Sequence, residues 1–209
     1  MKNILIIGCG MLGSSLLRQI QKKKIAKKIY IYEKSKFNLT KIKKLRLPGI
    51  IIKKLEDGVV NADLIILCTP MSEYKSLILR MNKSLSAKTI ITDVGSSKLE
   101  SSKIIKKYLR KDVSWTQSHP IAGSEVSGPE HGKYDIFEKK WCVLIQEKNT
   151  KKKNLIMLAN FWKKIGSKIV IMTPEKHDKI FSITSHLPHL IAYNLVKSAQ
   201  DFEKIQNYD

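Results

Sequence analysis

The sequence predicts an α/β fold, and three observations carry this expectation. Short apolar runs typical of buried strands alternate with segments whose apolar residues recur at helical spacing. A complete G-x-G-x-x-G loop, beginning at Gly8, joins the first strand to the first helix. From Thr173 onward the pattern is helical only. These features indicate a Rossmann-like, doubly wound, mostly parallel sheet followed by the start of an α-helical domain.

The individual elements follow from local patterning. Runs of Ile, Leu and Val predict strands that are buried on both faces, and turn residues such as Pro48-Gly49 separate one segment from the next. The expected strands cover residues 2–8, 28–33, 50–53, 62–68, 89–94, 113–118, 141–145 and 168–172. The expected helices between them cover residues 11–23, 70–82, 98–109 and 151–165.

A domain boundary is expected where the strands end. Thr173 offers a capping hydroxyl, Pro174 suits the first helical position and Glu175 suits the first turn. We therefore expect a sheet domain over residues 1–172 and the start of a helical domain over residues 173–209. Pro188 is expected to kink this helix because proline cannot donate a hydrogen bond to the carbonyl of Thr184.

Composition describes an ordinary globular chain. Of 209 residues, 43% are hydrophobic and 27% are charged, and no apolar run approaches the ~20 residues of a membrane span. The first apolar run, at residues 4–7, is too short for a signal peptide. Cys9, Cys68 and Cys142 form no close pair, which indicates reduced, structural thiols and a cytoplasmic location.

The net charge of +21 raises the possibility of nucleic-acid binding. Only Arg18, Arg46, Arg80 and Arg110 among the 39 basic residues are arginines, and the lysines are scattered over every expected helix. Nucleic-acid surfaces favour arginine and interleaved aromatic residues. The composition therefore argues against nucleic acid as a partner, although the positive charge would attract an anionic substrate.

The glycine-rich loop predicts a dinucleotide site. Its glycines allow a tight turn and a close approach of the backbone to a pyrophosphate, which lies at the helix N-terminus. The alternative is a structural glycine turn, but the loop lies within a strand–helix–strand unit. The predicted cofactor-binding residues of this loop are Gly8, Gly10, Met11, Leu12 and Gly13.

An acidic residue after the second expected strand favours NAD. Glu33 lies 20 residues beyond the last glycine, where a carboxylate bonds the ribose hydroxyls of NAD and repels the 2′-phosphate of NADP. Lys34 and Lys36 could instead pair with such a phosphate, so NADP is less favoured but not excluded by the sequence. Thr69 and Pro70, after the fourth strand, are expected to line the same crevice.

His119 is the candidate proton acceptor. It follows an expected strand, and Pro120 after it favours an extended conformation. A histidine near the nicotinamide could take a proton from a substrate hydroxyl while a hydride leaves the same carbon. The structural alternative is a histidine bonded to backbone at a strand end.

His186 and His189 are three residues apart and therefore predict a polar face on an otherwise apolar helix. A lined cavity and an exposed face are both compatible with that spacing. Two histidines without an evident third ligand make a metal site improbable, so no metal is expected.

Three separated motifs resemble the signatures of the prephenate dehydrogenase family. They are Asp93-Val94-Gly95-Ser96-Ser97-Lys98, Ser118-His119-Pro120-Ile121-Ala122-Gly123-Ser124-Glu125 and Ser185-His186-Leu187-Pro188-His189. The resemblance spans the chain from Gly8 to about Val196. It implies oxidative decarboxylation of prephenate to 4-hydroxyphenylpyruvate in tyrosine biosynthesis, with NAD as the hydride acceptor; relatives that use arogenate share the motifs.

The resemblance also implies roles for individual residues. His119 would deprotonate the ring hydroxyl, and Ser96 would lie near that hydroxyl. Ser124 would contact the substrate, Glu125 would help to gate the pocket, and His189 would reach the substrate from the helical domain. His186 would support the helix and the pocket. The first domain would bind NAD, and the second would bind substrate and, if the helical domain is complete, form a homodimer.

One family feature is missing from the sequence. Prephenate carries two carboxylates, and the arginine that the family uses to bind them lies beyond the matched segment, whereas this sequence stops at Asp209. The sequence is then a fragment, or other cations bind the carboxylates, or the chain is not a working enzyme alone. Of these we expect a fragment or truncated form.

Other functional classes remain open on the residues alone. A β-hydroxyacid or imine reductase would share the sheet-then-helix plan, but usually places a catalytic lysine in the first long helix after the sheet. Lys176 and Lys179 lie too near the start of that helix. A dinucleotide-binding module without chemistry is the alternative outside the enzymes.

Overall fold

A computed structural model describes residues 1–124 and 126–206. Its centre is a six-stranded, entirely parallel sheet in the order β3-β2-β1-β4-β5-β6. The parallel register and the flanking helices confirm the predicted α/β class. The strands of this sheet are β1 (Asn3–Ile7), β2 (Lys28–Tyr32), β3 (Ile50–Ile51), β4 (Leu64–Leu67), β5 (Ile90–Asp93) and β6 (Ser114–Trp115).

Helices cover both faces of the sheet. Two of them, α2 and α3, were not expected, because few of their residues are buried and the apolar periodicity of such short segments is weak. The helices are α1 (Met11–Lys22), α2 (Lys36–Lys44), α3 (Leu55–Asn61), α4 (Tyr74–Met81), α5 (Leu99–Tyr108), α6 (Lys152–Ile165), α7 (Pro174–Phe181) and α8 (Leu187–Gln206).

The core forms two layers because side chains alternate along β1. Ile4 and Ile6 face a cluster that includes Trp162 of α6, whereas Leu5 and Ile7 face a cluster that includes Tyr74 of α4. All six of these side chains are essentially inaccessible to solvent. The first strand therefore organises the packing on both faces.

The expectation of one strand over residues 113–118 is wrong. The amide of Thr116 still donates to the carbonyl of Ile91 in the parallel sheet (2.9 Å), but the carbonyl of Gln117 accepts from the amide of Ile145 (3.0 Å). The chain thus crosses between two sheets at this point. A second sheet in the order β7-β8-β9 begins there, with β7 (Ser118–Pro120) antiparallel to β8 (Trp141–Ile145) and β8 parallel to β9 (Lys168–Met172).

The helical region begins as its cap residues predict. The Thr173 side chain accepts a hydrogen bond from the amide of Lys176 (3.3 Å). Near the expected kink at Pro188, a π-helical turn (Ser182–His186) joins α7 to α8. Such a turn accommodates the hydrogen bond that proline cannot donate.

Many apolar side chains of the α7–α8 region are exposed, among them Ile183, Leu187, Leu190, Tyr193, Leu195 and Phe202.

Within the described part of the chain, no helix combines the length and apolar character that crossing a bilayer requires.

A matched pair of glycine variants tests the packing of the first loop. A Cβ built on Gly13 would lie 2.1 Å from the carbonyl oxygen of Gly8, whereas a Cβ on Gly10 meets nothing within 4 Å. We expect Gly13→Ala to lower the free energy of unfolding by about 1–3 kcal/mol, because the backbone must shift. Gly10→Ala should leave it nearly unchanged and weaken NAD binding instead. Urea unfolding and NAD titration measure the two effects, and equal stability of the two variants would contradict the packing argument.

Candidate active site

A cleft of about 800 Å³ lies at the carboxyl ends of β1, β4 and β5. This is the edge at which ligands bind in open α/β sheets. The cleft brings together nine of the predicted site residues, namely Gly8, Gly10, Met11, Leu12, Glu33, Thr69, Pro70, Ser96 and His119.

The glycine loop is shaped for close approach. Gly8 has a φ of +86°, and a Cβ there would lie 2.8 Å from the carbonyl oxygen of Cys68. Gly13 allows α1 to start directly beneath Gly8, while the space above Gly10 is open to the cleft. The loop therefore fits the pyrophosphate of a dinucleotide, with the N-terminus of α1 directed at it.

The carboxylate of Glu33 is fixed at the end of β2. One oxygen accepts from the amide of Cys9 and the other from the amide of Ser35, each at 2.8 Å. A carboxylate oxygen can accept more than one hydrogen bond, so Glu33 can also bond ribose hydroxyls in the cleft.

Cys9 has no reactive character in this loop. Its side chain is fully buried, and burial raises the pKa of its thiol to about 12. The thiolate is therefore strongly disfavoured at neutral pH.

His119 lies on β7 and is held by a second histidine. Its Nδ1 is 2.8 Å from Nε2 of His177, and Nδ1 of His177 is 2.7 Å from a carboxylate oxygen of Asp178. A carboxylate only accepts, so His177 donates from Nδ1 and accepts at Nε2. His119 must then donate from Nδ1. This series of hydrogen bonds leaves Nε2 of His119 unprotonated and available to accept a proton.

Asp178 is anchored at the start of α5. Its carboxylate accepts from the amides of Lys98 (2.8 Å) and Leu99 (2.9 Å). Partial burial opposes ionisation of Asp178, but the hydrogen bonds from these amides and from His177 outweigh it and hold its pKa below the usual value. An ionised carboxylate thus orients His177.

The electrostatics of the site keep His119 neutral. Burial lowers its pKa to about 3, and the positive charge of Lys98 and the neighbouring His177 and His186 act in the same direction, while Asp178 opposes them. Burial also lowers the pKa of His177. The ring of His119 packs edge-on against Phe181 at 5.0 Å between centroids.

A fully buried ion pair supports this arrangement. Nζ of Lys98 lies 2.5 Å from a carboxylate oxygen of Asp93, and both side chains are inaccessible to solvent. Lys98 also donates to the carbonyl of Ser118 (2.9 Å), the residue before His119, and Asp93 accepts from the hydroxyl of Tyr74 (3.0 Å). The pair fixes the backbone that carries His119 to the end of β5.

Several predicted residues lie elsewhere. Gly13 is beneath the loop rather than at the cleft surface. Ser124 is exposed, and its hydroxyl is 3.2 Å from the sulfur of Met11. His189 is exposed on α8 and does not line the cleft. Glu125 lies outside the described residues.

Two residues of the hydrogen-bonded chain were missed in the sequence. His177 and Asp178 lie in the first turns of α7, outside the three motifs. The sequence carries no local signal for this role, because His177 stands between the polar residues Lys176 and Asp178 and its complete burial is seen only in the structure. Among the described residues, no group of three or more potential ligands could hold a metal ion.

Comparison with known proteins identifies the family. Residues 16–171 match the nucleotide-binding domain of prephenate dehydrogenase, and residues 173–208 match its dimerization domain. The chain is 33% identical to the cyclohexadienyl dehydrogenase of Zymomonas mobilis over 203 residues, covering 97% of this chain and 69% of that protein. It is also 33% identical to the prephenate dehydrogenase of Lactococcus lactis, covering 98% of this chain and 56% of that protein.

A solved structure of similar fold carries a dinucleotide. The prephenate dehydrogenase of Aquifex aeolicus, in complex with hydroxyphenyl propionate and NAD+, has a TM-score of 0.87 and 30% identity, covering 95% of this chain and 69% of that one. These matches confirm the resemblance seen in the motifs and NAD as the cofactor. The chain belongs to the prephenate dehydrogenase family of NAD-binding oxidoreductases.

Proposed function

We propose that this chain carries out the NAD-dependent oxidative decarboxylation of prephenate to 4-hydroxyphenylpyruvate, CO2 and NADH in tyrosine biosynthesis. The observation that carries the proposal is that His119, whose Nδ1 is bonded to His177, lines the same cleft as the glycine loop. The names of the similar proteins support the substrate class. The similar proteins are longer than this chain. The activity of these 209 residues by themselves therefore depends on what their helical region contributes to the substrate site.

The residues of the cleft divide the chemistry between them. NAD, when bound, supplies the hydride acceptor. His119 accepts the proton of the ring hydroxyl as the C–H bond at the same carbon is broken, and Ser96 positions that hydroxyl. Loss of CO2 makes the ring aromatic, and His119 returns its proton to the phenolic oxygen. The proton that His119 takes from the hydroxyl is therefore the one that it returns, and the reaction requires no second acid.

The remaining assignments concern the substrate pocket. Ser124, next to Met11 of the glycine loop, contacts the substrate, Glu125 gates the pocket, and His189 reaches the substrate from the helical region. His189 is exposed on α8, so this role needs α8 to be covered by further chain or by a partner. The exposed apolar residues of α7 and α8 supply such a surface for a homodimer, in keeping with the match to a dimerization domain. A cytoplasmic location suits a biosynthetic enzyme of this kind.

Arogenate is the second candidate substrate, and one observation favours it. A similar protein, from Zymomonas mobilis, is a cyclohexadienyl dehydrogenase, a name that covers both prephenate and its amino-acid analogue. The two substrates differ at the side chain and share the ring that His119 would contact. The same proton transfer therefore serves both.

Replacement of His119 tests the proton acceptor. Because Asn cannot act as the base, His119→Asn should lower kcat about 10²–10⁴-fold, while the Kd for NAD stays within about twofold because the glycine loop is untouched. NADH formation with prephenate and arogenate offered separately measures the first effect, and fluorescence titration measures the second. Unchanged turnover would exclude the role, and absent turnover in the parent chain would exclude activity of this segment alone.

Replacement of Asp178 tests how His177 is oriented. Asp178→Asn removes the charge that fixes the tautomer of His177, so kcat should fall about 10- to 10³-fold with little change in NAD affinity. The matched control is Asp201→Asn, which removes an exposed carboxylate from α8. Equal turnover in the two variants would show that Asp178 does not act through His177.

The lowered pKa of His119 has a consequence for stability. The ordinary value is 6.5 and the folded value is about 3, so between these values the unfolded chain binds a proton that the folded chain does not. The free energy of unfolding should therefore decrease as pH falls from 6.5 toward 3. Urea unfolding at pH 6.5, 5.5 and 4.5 should show a smaller decrease in His119→Asn than in the parent chain. Parallel pH profiles would contradict the buried, neutral histidine.

A further inference from the structure

The outer end of the cofactor cleft is covered by a segment that follows β7. Val126, Ser127 and Gly128 line the cleft. Behind them, the carbonyl of Pro129 accepts from the guanidinium of Arg18 on α1 (3.2 Å). The segment is thus fixed to the helix that begins at the glycine loop.

The same segment reaches across to α2 through an ion pair. The carboxylate of Glu130 pairs with Nζ of Lys41, which also lies 4.1 Å above the ring of Phe37. The hydrogen bond from Lys41 is the largest of the interactions that hold the pKa of Glu130 below its usual value. Gly128 has a φ of +112°, which L side chains rarely adopt, and a Cβ there would lie 2.6 Å from the Glu130 carboxylate in its paired position.

Lys41 lies where a positive charge would affect the relative affinity for NAD and NADP. It lines the cleft together with Glu33, Phe37 and Asn38, on the strand and helix that flank the adenosine ribose in this fold. Among the described residues lining the cleft, it is the only lysine or arginine. An unpaired ammonium group there would attract the 2′-phosphate of NADP.

Two lysines that follow Glu33 closely in the sequence, Lys34 and Lys36, do not occupy this position. Neither Lys34 nor Lys36 lines the cleft. The side chain of Lys34 is 81% exposed and lies 3.8 Å from a carboxylate oxygen of Glu73. Pairing of Lys41 with a carboxylate therefore determines how strongly the cleft attracts the 2′-phosphate of the cofactor.

We propose that Glu130 is a cofactor-specificity residue: by pairing with Lys41 at the mouth of the cleft, it withdraws this cation from a 2′-phosphate and thereby favours NAD over NADP. Glu33 repels the phosphate directly, and Glu130 removes the cation that would compensate for that repulsion. The inference concerns cofactor binding alone and does not depend on which substrate the enzyme oxidises.

A purely mechanical role for the ion pair predicts a different result. If the pair only held the covering segment in place, its loss would change the affinities for NAD and NADP alike, because both share the adenosine and the pyrophosphate. If Glu130 neutralises Lys41, its loss changes the affinity for NADP selectively. The ratio of the two dissociation constants therefore separates the roles.

The experiment measures Kd for NAD and for NADP by isothermal titration calorimetry, with no substrate present. In Glu130→Gln, the Kd for NADP should fall about 3- to 10-fold while that for NAD stays within about twofold, as expected for one partly exposed charge pair. The gain should diminish as salt is raised, since exposed charges are screened.

Two further variants complete the test. The double variant Lys41→Met with Glu130→Gln should return the Kd for NADP to that of the parent chain. Glu138→Gln, which breaks a partly exposed ion pair with Lys23 away from the cleft, should change neither Kd. Equal shifts for both cofactors in Glu130→Gln, or a gain that persists in the double variant, would overturn the proposal.

Discussion

The buried ion pair between Asp93 and Lys98 is the interaction on which the rest of the site depends. An unpaired charge at full burial would cost several kcal/mol, so each partner requires the other. The pair joins the end of β5 to the start of α5, and Lys98 extends the connection to the carbonyl before His119. One contact thus fixes the junction between the parallel sheet and the second, smaller sheet.

That junction explains how His119 and the glycine loop come to share one cleft. His119 belongs to the second sheet, whereas the glycine loop belongs to the first. Asp178 caps the same end of α5 and orients His177, which in turn orients His119. Because Lys98 at the start of α5 bonds both Asp93 of β5 and Asp178 of α7, the position of His119 depends on how α7 packs against α5.

Two carboxylates from different parts of the fold meet at the same end of the cleft. Glu33 is bonded to the backbone of its own domain, so its position follows from the loop geometry alone. Glu130 comes from the segment after the base-bearing strand and meets Lys41 of α2. One stretch of backbone therefore carries both His119 and Glu130.

Local sequence by itself determined the parallel sheet, the glycine loop, Glu33 and the cap at Thr173, because each depends on residues that are close in the chain. Only the tertiary structure decided the break after Thr116, since both halves of residues 113–118 have the same strand-like pattern and differ only in their partner strands. It also decided the contact of His119 with His177, 58 residues away, and of Lys41 with Glu130, 89 residues away. Such pairs leave no periodic signal, because their spacing is set by how the sheets and helices pack rather than by the geometry of one element.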